Sequence, residues 1–267
     1  MIISFITAMG SSMADISFLT RSEHRVVSLV AMAVRPRSRS ELGEMTGASS
    51  STIRRTLREF EERHWITRDG YQYETTELGS FIANAMSDLL DRFETERELR
   101  AVWEWLPPTM SGFNLEMCID AQVHVASSED PYRPVSRLAD LLTDTELCRF
   151  TGFDVAMLEP SRGTLCQRIV DGMQTELISP PRVIRYIRSS YAEEFHDPLE
   201  SGNLTVYVHE DLPGYGVGLL DDRVVICCYD RENVLVRVLI DVTCEEAREW
   251  AASIFQRYRR QTPTVPI

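Results

Sequence analysis

At 267 residues the chain is longer than one small core requires, so two domains are expected. Its 43% apolar and 26% charged content excludes general disorder, and no apolar run approaches the roughly 18 residues that cross a bilayer. All 28 basic residues are arginine, set against 41 acids, and without lysine there is no P-loop, Schiff-base or lysine-dependent phosphodiesterase chemistry.

An acidic, lysine-free composition suggests a cytoplasm of very high salt, where surplus carboxylates keep a protein soluble; mutational bias toward GC-rich codons is the alternative. The opening residues Met1 to Thr7 are apolar but lack a basic flank, so they do not read as a secretory signal, and the translation start stays open between Met1, Met9 and Met13. The expected localisation is cytoplasmic, with no membrane partner. Six cysteines show no C-x-x-C spacing, which removes zinc and thioredoxin-like readings. Cys227 and Cys228 sit side by side in an apolar run and are expected on opposite faces of a strand. They read as small buried apolar residues, with a redox sensor as the alternative.

In chain order, Thr20 with Glu23 forms a capping-box pattern ahead of Val26, Val27, Leu29, Val30 and Val34, which predicts a first helix ending near Arg35-Pro36. Ser38 with Glu41 repeats the pattern for a short helix from Ser40 to about Thr46, burying Leu42 and Met45 before Gly47 turns the chain. Ser49 caps a third helix in which Ile53, Leu57 and Phe60 recur at i, i+4 and i+7 and give one apolar stripe. Its opposite face carries Ser50, Ser51, Arg54, Arg55 and Arg58, and Thr52 lies in its first turn. Short hydroxyls followed by guanidinium groups suit a helix in a DNA major groove, where arginine makes bidentate contacts with guanine or holds phosphates. The alternative is the solvated face of an ordinary helix.

Trp65 to Arg68, Asp69-Gly70 and Tyr71 to Thr75 then predict strand, hairpin turn and strand, with Arg68 and Tyr71 near the tip. A hairpin directly after such a helix is a wing. Thr76-Glu77-Leu78-Gly79 opens a further helix. The order helix, helix, helix, hairpin, helix resembles the winged helix-turn-helix regulators of archaea, of the haloarchaeal type. The stretch from Ser51 to Glu61 is similar to their recognition-helix signature. That resemblance implies that Ser49, Ser50, Ser51, Thr52, Arg54, Arg55, Arg58, Arg68 and Tyr71 contact double-stranded DNA. Charge agrees, since residues 13–80 hold 10 arginines and 10 acids while the rest holds 18 arginines and 31 acids. In molar salt, with a Debye length of ~3 Å, close hydrogen bonds would carry more of the affinity than counterion release.

From Leu78 the apolar positions Ile82, Ala85, Leu89 and Phe93 advance by alternating fours and threes, the seam of a helix that packs on a twin. A homodimer is therefore expected, with packing on the protein's own second domain as the alternative. This connecting helix is assigned to residues 81–108, running through Val102 to Leu106 until Pro107-Pro108 stops it.

Residues 109–262 alternate short apolar runs with helical ones, as α/β domains do. Strands are expected at Gln122 to Ala126, Glu146 to Phe150, Glu176 to Ser179, Leu204 to His209, Val217 to Leu220, Val224 to Tyr229 and Val234 to Val242, the last two joined by Asp230-Arg231-Glu232-Asn233. Helices are expected around Val135 to Leu142, Arg162 to Met173, Pro181 to Phe195 and Cys244 to Arg259, the last facing inward with Trp250, Ile254 and Phe255. With Asp130-Pro131 early and Trp250 to Arg259 at the close, this part resembles the effector domain of archaeal methanogenesis-regulator-type proteins. The resemblance spans about residues 15–260. It implies a phospholipase-D-like, non-catalytic fold that binds a small-molecule effector, so the fold class is α+β, a winged helix-turn-helix followed by an α/β effector or dimerisation domain.

No catalytic constellation or cofactor is expected, and the protein does not read as an enzyme. Gly214-Tyr215-Gly216-Val217-Gly218 precedes a strand and not a helix, so it reads as a tight turn before an edge strand. His24, His64, His124, His196 and His209 never fall at metal-ligand spacing, and G-x-S-x-G is absent. His209-Glu210-Asp211 could line a pocket but reads better as a solvated loop. Arg149, Arg162 and Arg168 could meet an anionic effector, with ion pairing to the abundant carboxylates as the alternative. The effector-binding residues stay unassigned. The overall expectation is a DNA-binding transcription regulator controlled by a ligand; the alternative is a protein-interaction module that uses the winged helix for assembly.

Overall fold

The computed structural model describes residues 12–107, 110–230 and 235–262. It divides into two compact units, Met1–Phe93 and Glu94–Ile267, combining helix and sheet. Met1, Met9, Pro108, the turn residues Arg231 to Asn233 and the first expected residue of the last strand, Val234, lie outside the described residues.

The first described element of the N-terminal unit is a helix over residues 12–20, α1, that the sequence pattern did not predict. Thr20 therefore ends a helix and caps none: its hydroxyl donates to the Ile16 carbonyl at 2.9 Å. The following helix α2, Glu23–Val34, starts after Ser22 without any side-chain cap. A two-residue strand β1, Arg37–Ser38, leads into α3, Arg39–Thr46, where Ser38 and Glu41 form the expected reciprocal capping box. Leu42 is buried in α3, but Met45 is 48% exposed, because a helix of 8 residues turns only one narrow face inward. Gly47 ends it in the left-handed region at φ 67°, which favours glycine. Helix α4, Ser50–Glu62, buries Ile53, Leu57 and Phe60 as expected. Strands β2, Ile66–Asp69, and β3, Gln72–Thr75, pair antiparallel across the two-residue loop Gly70-Tyr71, and β1 adds to the other edge of β3. The long helix α5, Glu77–Val102, closes the unit, burying Ala83 and Met86 with Leu29, Met32 and Trp65. Its residues from Glu94 onward belong to the second unit, whose core buries Leu99 and Val102. The α-helix stops at Val102, and Trp103–Trp105 form a single 3-10 turn.

The C-terminal unit is built on a seven-stranded sheet. Its strands are β4, Gln122–Val125; β5, Leu147–Thr151; β6, Gln174–Ser179; β7, Leu204–Val208; β8, Tyr215–Leu220; β9, Arg223–Tyr229; and β10, Val236–Val242. The spatial order is β4-β10-β9-β8-β5-β6-β7, with β5, β6 and β7 parallel and the remaining pairs antiparallel. Helices α6, Arg133–Asp144, α7, Val155–Val170, and α8, Pro181–Ser190, bury Leu138, Leu165 and Ile184 in one core layer. Helix α10, Glu245–Arg259, buries Trp250 and Ile254 in another. Strand β9 is buried from Val224 to Tyr229 because both faces are covered: Val225 and Cys227 enter the first layer, while Val224, Ile226 and Cys228 enter the second. The two neighbouring cysteines thus do point to opposite faces.

Several expected bounds shift for local reasons. Helix α7 starts at Val155 and not near Arg162, because Asp154 caps it by accepting the Val155 N–H at 2.7 Å, and Pro160 this early removes a single helical hydrogen bond. The helix from Pro181 ends at Ser190, and a separate short helix α9, His196–Glu200, follows, which turns Phe195 into the core. Gly216 and Gly218 lie inside β8, an interior strand between β9 and β5, and not in a turn before an edge strand. A Cβ on Gly218 would stand 2.5 Å from the Phe150 ring, so glycine is what lets that ring lie across the strand.

Candidate nucleic-acid interface

Helix α4 is positioned from both ends. Ser49 accepts the Thr52 N–H at 3.2 Å, and its hydroxyl also lies 2.9 Å from those of Ser51 and Thr52. Ser49 and Thr52 therefore organise the helix start. Behind the helix, Ile53, Leu57 and Phe60 are fully packed, with Phe60 against the rings of Phe18 and Trp65 at 5.9 Å each. This anchorage leaves Ser50, Ser51, Arg54, Arg55 and Arg58 exposed.

The hairpin stands beside that face. Arg68 is exposed and its Nε donates to the Gly70 carbonyl at 2.8 Å across the turn, while Tyr71 at the tip is 88% exposed. Ser50, Arg54, Arg58, Arg68 and Tyr71 all line one concavity of about 780 Å³ between α3, α4 and the hairpin. Ser51 and Arg55 do not line it. Arg55 instead adds its charge to the surroundings of His24, whose pKa is lowered first by burial and then by Arg25 and Arg55. The sequence reading missed Arg39 and Ser40, which enter the same concavity from the start of α3. The signal was present in the run Arg35, Arg37, Arg39, but only the fold shows that Arg39 joins Arg54 and Arg68.

Electrostatically the concavity mixes four guanidinium groups with the carboxylates of Glu44 and Glu61. Arg58 is paired to Glu62 at 3.0 Å. Arg54 makes no ion pair or hydrogen bond among the described residues, so its donors remain available. The N-terminus of α4 adds a partial positive charge at Ser50 and Ser51. An arrangement of this kind can hold phosphates at its rim and present bidentate donors at its centre.

Elsewhere the charged candidates are occupied within the fold. Arg149 pairs with Glu176 at 3.0 Å, Arg162 with Glu194 at 2.7 Å, and Arg168 donates to the carbonyls of Leu142 and Thr145. His209 accepts the Asp211 N–H through Nδ1 at 3.1 Å. Among the described residues no group of three His, Cys, Asp or Glu side chains could hold a metal ion, and no helix is long and apolar enough to cross a membrane.

Comparison with known proteins gives two family matches. Residues 131–261 match the model of the methanogenesis regulatory protein FilR1, middle domain, and residues 13–98 match the HVO_A0261 N-terminal domain. No curated protein matches the chain. Among solved structures, TrmBL2, described as an archaeal chromatin protein with a novel mode of DNA binding, is 11% identical with a TM-score of 0.43 over 91% of this chain and 92% of that one. The phosphatidylserine synthase of Haemophilus influenzae Rd KW20 is 13% identical with a TM-score of 0.40, over 55% of this chain and 39% of that one. Likenesses at these scores say nothing of function.

Proposed function

We propose that this chain is a sequence-specific DNA-binding transcription regulator, in which a winged helix-turn-helix reads duplex DNA through α4 and the C-terminal unit receives a regulatory input. One observation carries the reading: Arg54 stands unpaired on the outer face of a helix whose inner face is locked by Ile53, Leu57 and Phe60, beside an exposed hairpin tip. An α-helix of about 10–12 Å diameter suits a major groove about 12 Å wide. The family match over residues 131–261 supports a regulatory C-terminal unit, since that model describes a domain of a methanogenesis regulatory protein. A phospholipase-D-type, non-catalytic fold for this unit belongs to the proposal, and a chain without lysine is consistent with it.

A cytoplasmic homodimer completes the proposal. On α5 the side chains of Leu78, Phe81, Leu89 and Phe93 are exposed, with Phe81 at 75%, and a second copy of α5 would cover them, whereas Ile82 of the expected seam packs against the N-terminal core. Two recognition helices about one helical turn of DNA apart would then read two half-sites. The decisive experiment enriches duplexes from a random library with the full chain and repeats the measurement with Arg54→Ala/Arg55→Ala. A shared motif, and a loss of about a hundredfold in affinity with an unchanged circular dichroism spectrum, is the expected result. Absence of any enriched motif, or equal duplex binding by the double variant, would overturn the reading and leave α4 as a protein-docking face.

A further inference from the structure

The C-terminal unit contains a second concavity, of about 950 Å³, within the size range of small-molecule sites. Its walls come from four places in the chain: the 3-10 turn that follows α5, the loop around Phe113, the start of β8, and the last turns of α10. The loop is fixed, because Trp250 Nε1 donates to the Ser111 carbonyl at 3.0 Å, Phe113 packs on Trp250 at 5.2 Å, and the Phe113 N–H returns to the Met110 carbonyl at 3.0 Å. The floor is apolar, with Ile254 buried. Trp103 forms part of the wall yet is 60% exposed, an expensive way to leave a large aromatic side chain unless something covers it.

The polar groups of this pocket are few and placed together. Arg257 reaches it from α10 and has no ion pair or hydrogen bond among the described residues, whereas Arg259 two positions on is engaged by Tyr207 and Glu176. Tyr215 is buried and Tyr258 half-buried, and neither phenol donates a hydrogen bond among the described residues. Burial, then the neighbouring Tyr258, push the Tyr215 phenol above its ordinary range while Arg257 pulls it down, so the three groups share one neighbourhood and Tyr215 stays a donor at neutral pH. Glu104 is the opposing charge on the lining; it is exposed and makes no ion pair with Arg257. One unsatisfied guanidinium, two free phenolic O–H donors and an aromatic wall together fit a flat ring that carries an anionic oxygen pair.

We propose that this pocket binds a small planar aromatic carboxylate, its ring against Trp103 and Phe113 and its carboxylate on Arg257 with the Tyr215 hydroxyl. The ligand would act on a segment continuous with α5, since Trp103 and Glu104 follow that helix directly and α5 carries Ala83 and Met86 in the N-terminal core. Only this coupling rests on the regulatory reading above; the binding itself does not.

The test uses the full chain and three probes that share one ring: indole-3-acetate, neutral indole and cationic tryptamine, titrated by calorimetry without DNA. Indole-3-acetate is expected to bind, and Arg257→Gln to weaken it about tenfold or more while leaving indole unchanged. Trp103→Ala is expected to weaken both, and both variants are expected to melt with the parent chain because each side chain is exposed. Equal binding of all three probes, preference for tryptamine, no binding at millimolar concentration, or full retention in Arg257→Gln would each overturn the proposal. Duplex affinity measured with and without indole-3-acetate reads the coupling separately. Ligand binding without any duplex affinity would therefore support the pocket while removing the regulator reading.

Discussion

The backbone of Gly79 lies against the backbone of Trp65: a Cβ on Gly79 would stand 1.8 Å from the Trp65 carbonyl oxygen. The same carbonyl accepts the Thr76 N–H at 2.9 Å, and the Thr76 hydroxyl donates to the His64 carbonyl at 2.6 Å. The first turn of α5 is thus seated on the chain that enters the hairpin, and this contact fixes where the hairpin stands beside α4. Gly79→Ala is expected to destabilise the N-terminal unit by about 2–3 kcal/mol, since backbone must move to admit one methyl group. Gly43→Ala provides the contrast, because a Cβ there meets only the Ala48 carbonyl at an ordinary 3.5 Å. Helix propensity then favours alanine by about 0.5–1 kcal/mol. Urea unfolding of the two variants checks both signs.

Arg39 and Arg54 share a concavity but are expected to differ in what they read. Arg54→Ala should cost about 1–3 kcal/mol on the preferred duplex and relax the preference at one base pair. Arg39→Ala, from the start of α3, should weaken all duplexes alike and reduce the slope of log affinity against log salt by about 1. Binding to matched and single-mismatch duplexes over a salt series separates the two roles.

The exposed apolar side chains on α5 predict an oligomeric state. Leu89→Asp/Phe93→Asp replaces exposed side chains that join no core cluster among the described residues, so the fold is expected to survive while the dimer dissociates. Sedimentation at micromolar concentration should show dimer for the parent chain and monomer for the variant. A monomeric parent chain would remove the two-helix spacing argument.

Asp241 on β10 is fully buried and receives Arg137 from α6 at 2.6 Å and Arg223 from β9 at 2.5 Å. Both arginines remain about a third exposed, so removing the carboxylate leaves them partly hydrated. Asp241→Ala is expected to cost about 2–4 kcal/mol, near the lower end for breaking a buried pair, read from the chemical denaturation midpoint of the C-terminal unit.

His124 on β4 has its pKa lowered, first by burial and then by Arg137, and its Nε2 has no partner among the described residues. The unfolded chain therefore takes up a proton near the ordinary histidine pKa of 6.5 that the native chain refuses until lower pH. Stability is expected to be full above that value and to fall as pH drops below about 6.5. Replacing it by glutamine should flatten the melting-temperature profile between pH 7 and 5. An unchanged profile would assign the acid sensitivity elsewhere.

Much of the N-terminal unit was legible because its signals are local. The Ser38 and Glu41 capping box, the Ser49 cap, the spacing of Ile53, Leu57 and Phe60 and the glycine in the hairpin turn each act within a few residues, so each can be read along the chain. Helix α1 was missed because its packing depends on partners far ahead, as when Phe18 lies 5.9 Å from Phe60 and 3.7 Å from the Arg63 guanidinium. In the C-terminal unit most strands were visible as apolar runs. Their order was not: β4 pairs with β10 more than a hundred positions away, and Gly216 and Gly218 read as a turn because Phe150, the ring that requires them, sits on another strand.

By itself the amino-acid order determined the caps of α3 and α4, the hairpin, and the buried and guanidinium-bearing sides of α4, since capping, turn geometry and side-chain periodicity are short-range. Tertiary structure alone decided that Arg39 stands with Arg54 and Arg68, that Arg149, Arg162 and Arg168 are already engaged, and that Trp103, Tyr215 and Arg257 line one pocket. Those outcomes depend on which distant segments exclude water from one another, and that is settled by packing across the whole core.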